Sequence, residues 1–138
     1  GSMKIKTLIT YLFFTSLITG CSAPEDTSKY LSSEASYAEL ERLVGCDSKY
    51  SKDRKIDIFE ENYKNHWMTW SGKVILPEEG ETSLNVDRIG TQDLHVEFAD
   101  GRPGYYLKQD QEITVKFVMK QLGGCWLPYI GKHAILLR

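Results

Sequence analysis

From Asn65 onward the apolar residues of this chain stop recurring every three or four positions and begin to alternate, and that change of period limits the fold more than any other feature. Met68, Trp70, Gly72, Val74 and Leu76 fall on one face of a first strand that Pro77 ends, with Glu78-Glu79-Gly80 as its turn. Leu84, Val86 and Ile89 mark a second strand, followed by a tight turn at Gly90-Thr91. Leu94, Val96 and Phe98 mark a third, ended by Asp100-Gly101 and Pro103-Gly104. Ile113, Val115, Phe117 and Met119 make a fourth, closed by Gly123-Gly124, and Ala134 to Leu137 a fifth. Five short strands with regular turns predict a mainly β domain, a small barrel or sandwich.

Upstream of the strands the period is helical. Tyr37, Leu40, Leu43 and Val44 share one helix face, with Ser33 or Ser36 as the cap, Glu39 three residues after Ser36, and Gly45 as the stop. Asp47 to Lys55 reads as a solvated charged loop, and Ile58, Phe59 and Tyr63 predict a second short helix.

Trp70-Ser71-Gly72-Lys73-Val74 resembles the first strand of the OB-fold, in particular bacterial OB domains of the tRNA-anticodon-binding-like kind, where an aromatic precedes Gly-x-Val. Gln111 to Lys116 is similar to the family's fourth strand and Ala134 to Leu137 to its closing strand, so the resemblance covers Tyr63 to Arg138. It implies a five-stranded OB-like barrel, here preceded by one or two short helices. A glycine inside the first strand suits such a barrel, because a side chain there would obstruct the sharp coil. Two departures stand out. Asp100 to Gln109 leaves room only for a loop or a single turn where OB-folds usually carry a helix, and Asp110 stands where the family often has glycine.

The first residues carry an address. Gly1 and Ser2 read as a cloning remnant, and residues 3–20 as an export signal with Lys4 and Lys6 before an apolar run too short to span a bilayer. Ile18-Thr19-Gly20-Cys21 resembles the lipobox of bacterial lipoproteins, which implies acylation of Cys21, cleavage before it, and a stable membrane anchor. Ser22 after the cysteine resembles the sorting signal for the outer membrane of a Gram-negative cell, facing the periplasm. Residues 21–33 are polar and read as a flexible tether, leaving residues 34–138 as a single domain. Lys4 and Lys6 leave with the signal, so 15 basic residues face 19 acidic ones, a net charge of −4 with histidine neutral. That balance argues against a phosphate-backbone binder.

An exported compartment permits disulfides, so Cys46 and Cys125 are expected to pair, the alternative being two free buried thiols. Neither lies in a cluster with metal-ligand spacing, and no metal or cofactor is expected. His95 and Glu97 share one strand face, but the three histidines lack paired spacing, and surface histidine is the plainer reading. The outward positions Asn85, Asp87, His95 and Glu97 offer no aromatic platform and no basic run, which argues against single-stranded nucleic acid. No nucleophile elbow, P-loop or zincin helix is present, and no carboxylate pair stands out, so an enzyme is not expected.

The richest loop is Gly123 to Gly131, with Trp126 and Tyr129, between the fourth and fifth strands. Two readings stand open: the aromatics form a partner-binding surface, or they plug one end of the barrel. Tyr105 and Tyr106 are weaker candidates of the same kind. The expectation is a membrane-anchored, non-catalytic envelope protein that binds a protein or another envelope component, as assembly factors, secretion accessories, exclusion and immunity proteins do. The second expectation is a small-ligand or glycan-binding OB domain.

Overall fold

The computed structural model describes residues 24–138. The export signal and Cys21 lie outside the described residues. Five strands, β1 (Trp67–Pro77), β2 (Glu81–Asn85), β3 (Leu94–Phe98), β4 (Glu112–Gln121) and β5 (Tyr129–Leu136), close into a barrel in the order β1-β2-β3-β5-β4. Only β3 and β5 run parallel; the other neighbours are antiparallel. Of the barrel and the sandwich that the strand spacing leaves open, it is the barrel, mainly β and OB-like as the resemblance at Gly72 implies. Helix α1 (Tyr37–Val44) and helix α2 (Lys52–Asn62) precede it, and a single turn, α3 (Pro103–Tyr106), fills the short β3–β4 connection.

Strand β1 serves both halves of the barrel. Trp67 to Lys73 pair with β4, and Lys73 to Pro77 pair with β2, so the chain changes partner at Lys73. Gly72 lies at that change, and a Cβ added there would stand 2.7 Å from the Asn85 carbonyl oxygen. Backbone cannot yield cheaply at that distance. Gly72→Val is therefore expected to destabilise the domain by about 1–3 kcal/mol through overpacking. Urea unfolding followed by circular dichroism checks this, and an unchanged midpoint would contradict the close approach.

The alternation holds along most strands. Met68, Trp70 and Val74 of β1, Ile113, Val115, Phe117 and Met119 of β4, and Leu94 and Val96 of β3 all point inward and are buried. It breaks at two expected positions. The pairing of β1 with β2 shifts between Val74 and Leu76, which turns Leu76 outward, 54% exposed. An extra residue in one strand reverses the facing of all that follow. Ile89 lies beyond β2 in the β2–β3 loop, 76% exposed, rather than on the strand.

Helix α1 closes one end of the barrel. Ser36 caps it by accepting from the Glu39 amide at 3.1 Å, and Gly45 ends it. Leu40 and Val44 join the barrel core, and Phe59 of α2 and Tyr63, the residue after that helix, pack into the same cluster. Helix α2 starts at Lys52, inside the stretch expected to be a loop, because Ser51 accepts from the Arg54 amide and so satisfies a free donor of the first turn.

Residues 24–33 do not behave as the expected tether over their described length. Thr27–Lys29 form a 3-10 turn capped by Asp26, and Ser32 makes a parallel bridge to Trp67. The Trp67 amide donates to Leu31 O at 2.8 Å, the Ser33 amide to Trp67 O at 2.8 Å, and the Trp67 indole to Thr27 O at 3.0 Å. The segment has little to bury, but its backbone extends the ladder at the start of β1. We call it the strap.

Candidate functional site

The β4–β5 connection is shorter than the sequence suggests. Strand β5 begins at Tyr129, five residues before the expected start, so the loop runs from Leu122 to Pro128. That shift separates its two aromatics. Tyr129 is 2% exposed and packs edge-on against Tyr37 and Trp70 at 5.9 Å from each, so its ring belongs to the core. Trp126 is 95% exposed, and Leu127 beside it 71%. The loop folds on itself through Gly124 N to Leu127 O, at 2.9 Å, and the return bond from Leu127 N.

Cys125 is bonded to Cys46, which follows the end of α1, across 79 residues of chain with the Cα atoms 4.8 Å apart. The pairing expected from the sequence is present. It ties the aromatic loop to α1, and a third wall comes from the β2–β3 loop. Between them lies a cleft of about 390 Å3. Trp126, Leu127 and Ile89 form its apolar rim; Tyr37, Glu41, Asp87, Asp93 and Tyr129 line its polar side. Among the described residues its lining contains three carboxylates and no lysine or arginine.

Asp93 holds the β2–β3 wall in place. Its Oδ2 accepts from the Val86 amide at 2.8 Å and the Asp87 amide at 3.1 Å, and its Oδ1 faces the Tyr37 hydroxyl at 3.0 Å. The same hydroxyl lies 2.6 Å from Glu41 Oε1. A phenol has one proton to donate, so both contacts are hydrogen bonds only while one carboxyl is protonated. Burial raises the Asp93 carboxyl above its ordinary range, against the hydrogen bonds from the Asp87 amide, Tyr37 and the Val86 amide. Burial and the adjacent carboxylates also push the Tyr37 and Tyr129 hydroxyls well up, which keeps both as proton donors. Tyr37 and Asp93 are 56 residues apart, and only closure of the barrel brings them together.

The remaining sequence candidates lie elsewhere. Tyr105 and Tyr106 sit on α3, exposed and edge-to-face at 5.1 Å, with the Arg102 guanidinium 4.8 Å from the Tyr105 ring. Gly104 lets α3 lie directly on Glu78 of the β1–β2 turn, so these tyrosines occupy the barrel end opposite Trp126. His95 and Glu97 share the outer face of β3 but engage different partners. His95 Nδ1 lies 2.9 Å from Ser83 Oγ, its Nε2 3.6 Å from Glu81, and Glu97 pairs with Lys132 at 3.5 Å. Among the described residues no three His, Cys, Asp or Glu side chains converge to hold a metal ion. Among those residues, no helix is long and apolar enough to cross a membrane. Comparisons with family models, with curated proteins and with solved structures return no match to this chain.

Proposed function

We propose that this chain is a membrane-anchored, non-catalytic envelope module that binds a protein partner through the β4–β5 loop and the cleft beneath it. The observation that carries the reading is Trp126, 95% exposed on a loop whose base is fixed by a disulfide. A large apolar ring in water is stabilised when a partner covers it, and a loop already fixed loses less entropy on binding. Tryptophan also dominates interface hot spots. The carboxylates of Glu41, Asp87 and Asp93 beside the apolar rim favour a partner segment that presents a basic side chain next to an apolar one. The lipobox at Cys21 supplies the anchor and the envelope address.

Trp126→Ala is expected to weaken partner binding by about 2 kcal/mol or more. That is on the order of thirtyfold in Kd. The domain should keep its fold, because the side chain touches little of the core. Pull-down from envelope extracts, with Leu127→Ala as a second rim variant, checks this. Equal recovery by both variants and the parent chain would overturn the loop assignment. Tyr129→Ala is not a suitable probe, since its ring is buried.

A second reading, a small-ligand or glycan site, is favoured by the size of the cleft, which falls in the range of small-molecule pockets. An open indole face beside carboxylates and the Tyr129 hydroxyl suits a sugar ring. Saturable quenching of Trp126 fluorescence by peptidoglycan fragments would favour it over the protein partner.

A further inference from the structure

We propose that the barrel face around Glu25, Lys120 and His133 rests on the headgroups of the bilayer. The proposal depends on the reading of Cys21 as the acylated residue and adds to it which side of the domain faces the lipid. Glu25 is fixed to the barrel wall. Its carboxylate accepts from the Lys120 ammonium and the Tyr30 hydroxyl, and it lies 3.1 Å from His133 Nε2. Those three groups hold the Glu25 carboxyl far below the usual range, at about 2, so it stays charged at any physiological pH.

The strap is then pinned at successive points along its length. The indole of Trp67 holds Thr27 O, and the Trp67 backbone holds Leu31 and Ser33. Only three residues, Ser22 to Pro24, separate Glu25 from Cys21. Four peptide steps span at most about 14 Å. The headgroup layer is itself about 5–7 Å thick on each side of the hydrocarbon. A domain pinned at Glu25 therefore has its Lys120 edge within reach of the lipid phosphates. A strap detached as far as Glu34 would span up to about 45 Å and impose no such orientation.

The chemistry of that edge fits. Lys120 bridges Glu25 and the Asn65 side chain at the barrel end where β1 starts. Lys64, the residue before Asn65, is partly exposed and pairs with Glu60 at 3.2 Å, and Lys29 is exposed on the strap. Ammonium groups near a lipid surface are drawn to its phosphates.

The test uses the full acylated protein in vesicles containing a lipid with a nitroxide on its headgroup. One fluorophore is attached through Lys64→Cys and, in a second preparation, through Glu79→Cys, beyond the far end of β1. Eleven strand residues put these positions about 30 Å apart. The fluorophore at position 64 is expected to be quenched at least threefold more than the one at position 79. Inserting ten Gly/Ser residues between Ser22 and Ala23 leaves the domain untouched and should reduce that difference at least twofold. Equal quenching at both positions in protein that floats with vesicles overturns the orientation alone, as does a difference that the insertion leaves unchanged. Protein that fails to float with vesicles overturns the acylation reading and the orientation with it.

Discussion

Trp70→Ala is expected to destabilise the domain by about 3–5 kcal/mol, enough to leave a domain of ordinary stability close to unfolding. The ring sits at the junction of barrel and helices, with edge-to-face contacts to Phe117 at 5.3 Å, Tyr37 at 5.7 Å and Tyr129 at 5.9 Å. Its indole donates to Ala35 O at 2.9 Å, which fixes the entry to α1. Truncation opens a cavity and strips a carbonyl of its partner, and both losses act on the same element. Trp70→Phe separates them. It keeps most of the packing and removes the donor, so about 1–2 kcal/mol is expected from that variant. Urea unfolding followed by near-ultraviolet circular dichroism measures both, and a loss below about 1.5 kcal/mol for the alanine variant would mean the aromatic cluster is not what holds α1 on the barrel.

Reducing the Cys46–Cys125 bond is the second large effect. A loop of 79 residues closed by a crosslink is worth about 4.5 kcal/mol in the chain-entropy model. The Cα separation of 4.8 Å lies within the range of ordinary disulfides. Cys46→Ser with Cys125→Ser should lower Tm by on the order of 15–20 °C. The same change should speed amide exchange at Gly124 and Leu127, whose mutual hydrogen bonds depend on the loop staying folded, while β1 and β4 remain protected. An unchanged Tm would place the closure of the loop in packing rather than in the covalent bond.

The strands that alternate cleanly were legible in the sequence. Strands β3 and β4 carry a side chain of core size at every inward position, and the first part of β1 does so apart from Gly72. Strand β5 was only half legible, for a physical reason. Its inward residues are Tyr129, Gly131 and Ala134, and Gly131 contributes no side chain because the Phe117 ring fills that space, 2.5 Å from where a Cβ would stand. A left-handed residue at His133 then breaks the period. No apolar pattern survives such a strand, so residues that belong to it resemble a loop. The strap was missed because backbone pairing, the Trp67 indole N–H and one carboxylate hold it, and none of these leaves a hydrophobic trace in residues 24–33.

The candidate site was half legible as well. Trp126 stands out in any reading of composition, and the pairing of Cys46 with Cys125 followed from there being two cysteines apart from Cys21. The acidic side of the cleft did not stand out. Glu41 is one charged residue on a helix, and Asp87 and Asp93 resemble ordinary turn residues until the barrel closes. Tyr37 reads as part of an apolar helix face, and its hydroxyl matters only because Asp93 arrives from the other side of the core.

The position of β5 in the sheet also sets the order of events during synthesis. It is the last of the five described strands in sequence, yet it lies between β3 and β4. A chain emerging N-terminus first holds both of those edges unpaired until residues 129–136 arrive. Unpaired edges recruit other strands, and pairing across long sequence separations is slow. The growing polypeptide thus passes through a stage in which β1 to β4 have all been made and the sheet is still open, and a chaperone that shields β3 and β4 would act in that interval.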